Sequence, residues 1–287
     1  MIWLMGHKGM LGSELARLLT QAGMPFIGTD VDVDITVPED LRRFAQGRTV
    51  DWIVCAAAYT NVDAAEQNEE HAWAINATGA GNIATVAAAI GAPLIHISTD
   101  YVFDGAGTRP YTEDDPVRPL GVYARSKAEG ERRVRQVCPR HFILRTAWLY
   151  GHDGRNFVTT MLRLMRERER IAVVADQRGS PTWTHTLAAG ILRIIQPPSD
   201  AFGTYHLTDA GDISWYEFAL EIQKQATDRG LVPGRCRIDP IPATQYPSRV
   251  PRPAYSVLSK EKWRRQFGVT LPDWRVSLGA FLDREKG

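Results

Sequence analysis

The sequence predicts an α/β fold: a doubly wound parallel sheet followed by a smaller C-terminal region. Three observations predict it. Short, continuously apolar runs alternate with longer stretches of helical periodicity through the first half of the chain. Those runs are apolar on both faces, as strands are when helices cover both sides of a parallel sheet. After about Tyr150 the rhythm breaks, and between residues 233 and 253 prolines accumulate, which marks extended segments crossing a surface.

Taken in order, Ile2–Met5 reads as a buried strand. Residues 12–21 form a helix with Leu15, Leu18 and Leu19 on one face. Phe26–Thr29, Trp52–Cys55, 94–97 and 142–145 supply four further strands, with helical runs near 82–89 and 126–137 between them. Beyond residue 150 the pattern predicts an amphipathic helix at 157–168, a strand at 172–174 and a helix at Thr184–Ile195. Residues 104–121 are crowded with Pro, Gly and Asp and read as a long loop of the kind that carries function.

Bulk composition removes several function classes. The chain of 287 residues is 44% hydrophobic and 23% charged, ordinary for a globular protein with a sizeable core. A net charge of +1 and the lack of a basic run argue against nucleic acid as a partner. No apolar run reaches membrane-spanning length, and the five residues before Gly6 are too few for a signal peptide. Cys55, Cys138 and Cys236 are odd in number and far apart, so free thiols in a reducing cytoplasm are expected and a disulfide framework is not.

Gly6, Gly9 and Gly12 follow the first strand and open the first helix in a GxxGxxG spacing. Glycines let the backbone turn tightly and approach a pyrophosphate, whose charge the helix N-terminal amides then hold. Three glycines also suit a plain structural turn. The strand before, the helix after and Asp30 ending the second strand favour a dinucleotide and a Rossmann-type sheet. Asp30 can accept from the adenosine ribose hydroxyls, which favours NADH, whereas Lys8 can reach a 2′-phosphate, which keeps NADPH open.

Tyr123 and Lys127 stand four residues apart and, on a helix, share one face. A neighbouring ammonium stabilises a phenolate, bringing proton exchange toward neutral pH. Ser98 and Thr99 lie just past the fourth strand, at the end of the sheet where ligands bind, although capping is an equally ordinary use for them. Glycine loop, Asp30, Ala56-Ala57-Ala58, Ser-Thr and Tyr-x3-Lys, in that order, resemble the extended short-chain dehydrogenase/reductase superfamily.

Longer segments narrow the resemblance. The segments running from Ala56 to Asp63, from Ser98 to Gly105 and from Arg145 to Gly151, then Ser180-Pro181-Thr182, Tyr205-His206-Leu207 and Arg252-Pro253, are similar to the dTDP-4-dehydrorhamnose reductase family over nearly the whole chain. The resemblance implies NADH- or NADPH-dependent reduction of the 4-keto group of dTDP-4-dehydro-L-rhamnose. It implies Tyr123 as proton donor, Lys127 lowering its pKa and holding the nicotinamide ribose, and Thr99 tuning hydrogen bonds to the sugar. Gly6, Gly9, Met10, Leu11, Gly12, Asp30, Asp34, Ile35, Ala57, Ala58, Tyr59 and Thr60 would line the cofactor together with Tyr123 and Lys127. Asp100, Trp148, Asn156 and Arg252 would meet the substrate beside Thr99.

On this reading residues 1–150 form the dinucleotide-binding domain and 151–287 mainly the substrate-binding region, with later strands near 172–175 and 204–208 joining the first sheet. Some family members bind magnesium through carboxylates shortly after the Pro-Thr motif and dimerise there. Here Pro181-Thr182 is followed by Trp183, Thr184, His185 and Thr186, so no metal is expected, and the assembly is a monomer or homodimer. Another nucleotide-sugar reductase or epimerase of the superfamily is the nearest alternative. A non-catalytic NADP-binding regulatory subunit is a second, and retention of Thr99, Tyr123 and Lys127 argues against it. The Glu113-Asp114-Asp115 cluster and the Arg/Glu alternation at 163–170 read as solvated surface.

Overall fold

A computed structural model describes residues 1–248 and 250–285. The first half alternates β1 (Ile2–Met5), α1 (Met10–Gln21), β2 (Phe26–Thr29), α2 (Pro38–Ala45) and β3 (Trp52–Cys55). It continues through α3 (Val62–Ala65), α4 (Glu69–Trp73), a π-helical turn at Ala74–Gly79, α5 (Ala80–Ile90), β4 (Leu94–Thr99), α6 (Gly121–Val137) and β5 (His141–Thr146). Then come β6 (Leu149–Tyr150), α7 (Phe157–Glu167), β7 (Arg170–Val174), β8 (Arg178–Gly179), β9 (Thr182–Trp183), α8 (Thr184–Ile195) and β10 (Gly203–His206). β11 (Ile213–Ser214), α9 (Trp215–Asp228), β12 (Arg237–Ile241), α10 (Glu261–Phe267) and α11 (Trp274–Arg284) complete the described chain.

Six parallel strands form the central sheet in the order β10-β5-β4-β3-β1-β2. Strand alternation sorts side chains to opposite faces. Ile2, Leu4, Trp52, Val54, Phe142 and Leu144 meet α1 and α8 on one side. Trp3, Met5, Ile53, Cys55 and Ile143 meet α2, α5 and α6 on the other. The chain steps from β1 outward to β2 and returns to place β3 on β1's other side, so the strand order reverses between β1 and β3. A crevice opens at the carboxyl ends of strands flanking such a reversal.

Two expectations about the later strands part company here. The strand near 204–208 does join the sheet, as β10 beside β5. The strand near 172–175 does not: β7 pairs in parallel with β12 in a separate two-stranded sheet. The reason is local. Ile171 and Val173 point into a second core with Val158, Met161, Phe218, Ile222 and Ile238, built by α7, α9 and α11. Helix α8, by contrast, returns past residue 150 to cover the central sheet, its Leu187, Ile191 and Ile194 packing with Leu11, Leu15 and Leu19 of α1.

Candidate active site

The glycine loop is shaped by close approach. Gly6 has φ +74°, and a Cβ there would lie 2.7 Å from the Ala57 amide nitrogen. A Cβ on Gly12 would lie 2.1 Å from the Gly6 carbonyl oxygen. The loop is therefore pressed against the chain leaving β3, and α1 begins with no side chain capping its first-turn amides. Those uncapped amides, a positive helix terminus and the lack of an acidic residue in the first turn suit a phosphate group.

Two adjoining cavities open at the carboxyl ends of the strands and share Gly9, Ala56 and Ala58. The first, about 650 Å³, is lined by Gly6, Lys8, Asp30, Asp34, Ile35 and Ala57 among others. Asp30 accepts from the Lys8 amide at 3.2 Å and from the Val31 amide at 3.1 Å, so it stands at the loop's mouth. The second, about 500 Å³, is lined by Met10, Leu11, Gly12, Thr60, Thr99, Asp100, Tyr123, Lys127, Trp148 and Arg252. A dinucleotide bound across the shared glycine and alanines would place one end in each cavity.

Tyr59 is the exception in its stretch. Its ring packs edge-on against His71, and its backbone amide and carbonyl are both held by Asn76 of the π-helical turn, at 2.9 and 3.0 Å. Asn76 also donates to the Ser126 hydroxyl at 3.1 Å, tying the loop after β3 to α6. The contact is close because residue 130 is glycine: a Cβ there would meet the Asn76 carbonyl at 2.2 Å. The π-helical turn thereby fixes α6, and with it Tyr123 and Lys127, against the cleft.

Thr99 ends β4 and accepts from the Tyr101 amide at 3.2 Å while its hydroxyl donates to Asp100 at 3.0 Å. Burial pushes the Asp100 carboxyl up to about 6. Lys127 is buried and donates to the Ile97 carbonyl at 2.7 Å. Burial pushes the Tyr123 phenol up to about 12; Thr99 favours its ionised form and Asp100 opposes it. Desolvation outweighs every favourable neighbour, and the phenol stays protonated, the state a proton donor needs.

Trp148 has φ +46°, a backbone region costly for a residue with a bulky side chain. Its ring is clamped. Trp215 stacks on it at 3.5 Å and 10°, and behind it only a glycine fits, since a Cβ on Gly179 would meet the ring at 2.5 Å. Arg252 pairs with Asp63 at 3.0 Å and leaves its buried Nε–H without a partner among the described residues. Asn156 is a correction: it caps α7, accepting from the Thr159 amide at 3.0 Å and donating to the Gly151 carbonyl at 2.6 Å, and it does not line the cavity. Glu113 is another, for it accepts from the His206 amide at 2.9 Å instead of facing solvent, and burial pushes its carboxyl up.

Sequence reasoning passed over several lining residues, Trp215 and the exposed Arg155 among them. A signal for Trp215 existed. Ser214 and Glu217 form a capping box that starts α9 and puts Trp215 in its first turn. Arg155 lies in a short loop whose approach to the cleft has no local signature.

Magnesium does not fit where the resemblance would put it. His185 bonds Glu14 at 2.6 Å, and the same carboxylate accepts from Arg17 at 2.9 and 2.5 Å and from Arg284 at 3.3 Å. Three basic side chains already surround one carboxylate. Among the described residues, no group of three or more His, Cys, Asp or Glu side chains is arranged to hold a metal. Nor, among them, is any helix long and apolar enough to cross a membrane.

This parallel sheet, glycine loop and Thr–Tyr–Lys cleft define the class: an oxidoreductase of the extended short-chain dehydrogenase/reductase superfamily. Comparison with known proteins narrows it. The model for the family described as RmlD substrate binding domain matches residues 1–286. The dTDP-4-dehydrorhamnose reductase of Escherichia coli K12 is 39% identical over 289 residues, covering 98% of this chain and 97% of that one. A dTDP-4-dehydrorhamnose reductase structure from Clostridium acetobutylicum superposes with TM-score 0.94 at 38% identity, covering 100% of this chain and 99% of that one. One from Bacillus anthracis, in complex with NADP, gives 0.93 at 36%, covering 99% and 98%. The chain belongs to the dTDP-4-dehydrorhamnose reductase family.

Proposed function

We propose that this chain reduces the 4-keto group of dTDP-4-dehydro-L-rhamnose to the alcohol of dTDP-L-rhamnose, with NADPH or NADH as reductant. The observation that carries the reading is the convergence of Thr99, Tyr123 and Lys127 on one cavity that adjoins the glycine loop. The reduced nicotinamide, when bound, supplies the hydride to C4. Tyr123 gives its phenolic proton to the C4 oxygen, so that carbonyl becomes alcohol. Thr99 turns its single hydroxyl hydrogen from Asp100 to the same oxygen. Lys127, with one ammonium hydrogen on Ile97, has two left for the nicotinamide ribose and for steadying the phenolate that forms. The Trp148–Trp215 stack walls the sugar site, and Arg252 meets the pyrophosphate.

The names of the relatives support the substrate. The NADP complex of the Bacillus anthracis protein supports NADPH, and Asp30 supports NADH, so both are assigned. Three free, buried thiols accord with the cytoplasm, where the reductant is made, and we place the enzyme there as a monomer or homodimer. The decisive assay follows loss of NAD(P)H absorbance with dTDP-4-keto-6-deoxy sugars and their UDP and GDP counterparts. Tyr123→Phe is expected to lower kcat at least ~100-fold, the usual worth of a positioned proton donor, with cofactor affinity unchanged. Wild-type protein that binds cofactor and leaves it unoxidised with every 4-keto sugar overturns the reading.

A further inference from the structure

Four residues lining the second cavity hold a buried polar atom with no partner among the described residues: Ser98, Asp100, Thr146 and Arg252. Asp100 and Arg252 already have roles toward the sugar nucleotide. Ser98 alternates with Ile97 and Thr99 along β4, so it faces the α6 side of the sheet. Thr146 is the one the reaction leaves unused. It is 7% exposed and ends β5 directly beside Thr99. Strand alternation puts it on the side of Phe142 and Leu144, the side covered by α1 and α8. Leu11 and Gly12 of α1 line the same cavity. The strand end is firmly held, for Arg145 on the opposite face meets buried Glu131 at 2.9 Å through Nε and 2.8 Å through Nη2. A buried hydroxyl left unpaired lowers stability, so its place on a ligand cavity calls for a partner the ligand supplies.

We propose that the Thr146 hydroxyl binds the carboxamide of the nicotinamide ring. This rests on the placement given above of the nicotinamide ribose at Lys127 and of the C4 oxygen at Tyr123. Lys127 reaches the Ile97 carbonyl at 2.7 Å, so the ribose site adjoins the ends of β4 and β5. The cavity wall there is mostly apolar, with Leu11, Ile97, Ala147 and Leu149 lining it. Thr99 is engaged: it accepts from the Tyr101 amide at 3.2 Å, and its hydrogen serves Asp100 and then the C4 oxygen. Thr146 keeps a hydrogen to donate and lone pairs to accept. A carboxamide is the polar group of a nicotinamide ring, carrying an N–H donor and a carbonyl acceptor. Against an apolar wall it needs such a partner, since burying an unpaired amide is costly. The walls assigned to the sugar nucleotide, Trp148, Trp215 and Arg252, all come from segments beyond the end of the sheet.

The test is fluorescence titration of wild type and Thr146→Val with NADPH and with 2′-phospho-ADP-ribose, which keeps the ribose and lacks the nicotinamide. Valine retains the branched shape and removes the hydroxyl. The dissociation constant for NADPH is expected to rise about fivefold, the worth of one neutral hydrogen bond. That for 2′-phospho-ADP-ribose is expected to stay unchanged. The melting temperature of the cofactor-free variant should hold or rise, because an unpaired buried hydroxyl has gone. Thr146→Ser, which keeps the hydroxyl, should bind NADPH as wild type does. A purely structural role lowers the melting temperature of Thr146→Val and leaves NADPH affinity intact, and that result overturns the proposal. Equal weakening of both ligands overturns it too, because the effect then lies outside the nicotinamide. So does weaker binding of dTDP-L-rhamnose with NADPH affinity intact, which gives the hydroxyl to the sugar. Should Thr146→Val not fold, the same comparison on Thr146→Ala decides in the same way. None of these measurements needs turnover. Wild type that binds NADPH and reduces no 4-keto sugar therefore overturns the proposed reaction and leaves the role of Thr146 intact.

Discussion

Gly12 and Trp148 both border the cleft, the one where no side chain fits and the other with a backbone that sterics disfavour. Gly12→Ala places a methyl 2.1 Å from a backbone oxygen, which no rotamer change relieves, so the phosphate loop must shift. NADPH affinity is expected to fall at least ~10-fold, since a misplaced helix terminus loses oriented amides each worth about 1 kcal/mol or more to an anion. Fluorescence titration measures this, and unchanged affinity would show that the loop does not carry the pyrophosphate. Trp148 is different in kind. Its left-handed backbone is tolerated because Trp215 and Gly179 hold the ring on both faces, so strain at one position is carried by packing from two others.

Elements deliver these residues through their ends. β4 stops at Thr99, whose hydroxyl starts the short turn at Asp100–Val102; α6 brings Tyr123 into its first turn; α9 brings Trp215 into its own. Ser214 accepts from the Glu217 amide at 3.1 Å and its own amide donates back to Glu217 at 2.6 Å. Ser214→Ala is expected to cost about 1 kcal/mol of stability, read from the urea midpoint. It should also raise KM for the sugar nucleotide with little change in kcat, because the loosened first turn carries Trp215. A stability loss with KM unchanged would detach that turn from the site.

For the molecule as a whole, the charge buried between sheet and helices is one of several lowered carboxylates that contribute to the acid limit. Glu131 is held at about 2 against an ordinary 4.5, so the folded state binds that proton less readily than the unfolded chain. Its stabilising contribution is present above pH 4.5 and is lost as pH falls toward 2. Asp100 and Asp209 have the opposite sign. Burial raises both from 3.8 to about 6, so each favours folding at low pH and withdraws that support as pH rises through this window. Melting temperature against pH should therefore fall steeply below 4.5, and less steeply in a Glu131→Gln/Arg145→Met variant. Parallel curves for the two proteins would remove Glu131 from the acid transition.

Much of this was legible in the chain itself. The apolar runs marked the five early strands to within two residues, because a strand buried on both faces has no polar positions to hide it. The glycine spacing, Asp30, Thr99, Tyr123 and Lys127 were readable because each depends on a backbone constraint or a helical spacing that is local in sequence. Other placements were settled only by tertiary structure. β7 carries a strand pattern, yet nothing within it says whether β12 or the central sheet will be its partner. Asn156 and Glu113 have the same composition whether capping, buried or facing a ligand. Trp215, Arg155 and the Glu131–Arg145 pair owe their positions to contacts between segments far apart in the chain, the last spanning two layers of the fold. Local pattern sets which elements form, because propensity and periodicity act over a few residues. Long-range packing decides which side chains meet, because that depends on burying each element's apolar face against a partner no short segment contains.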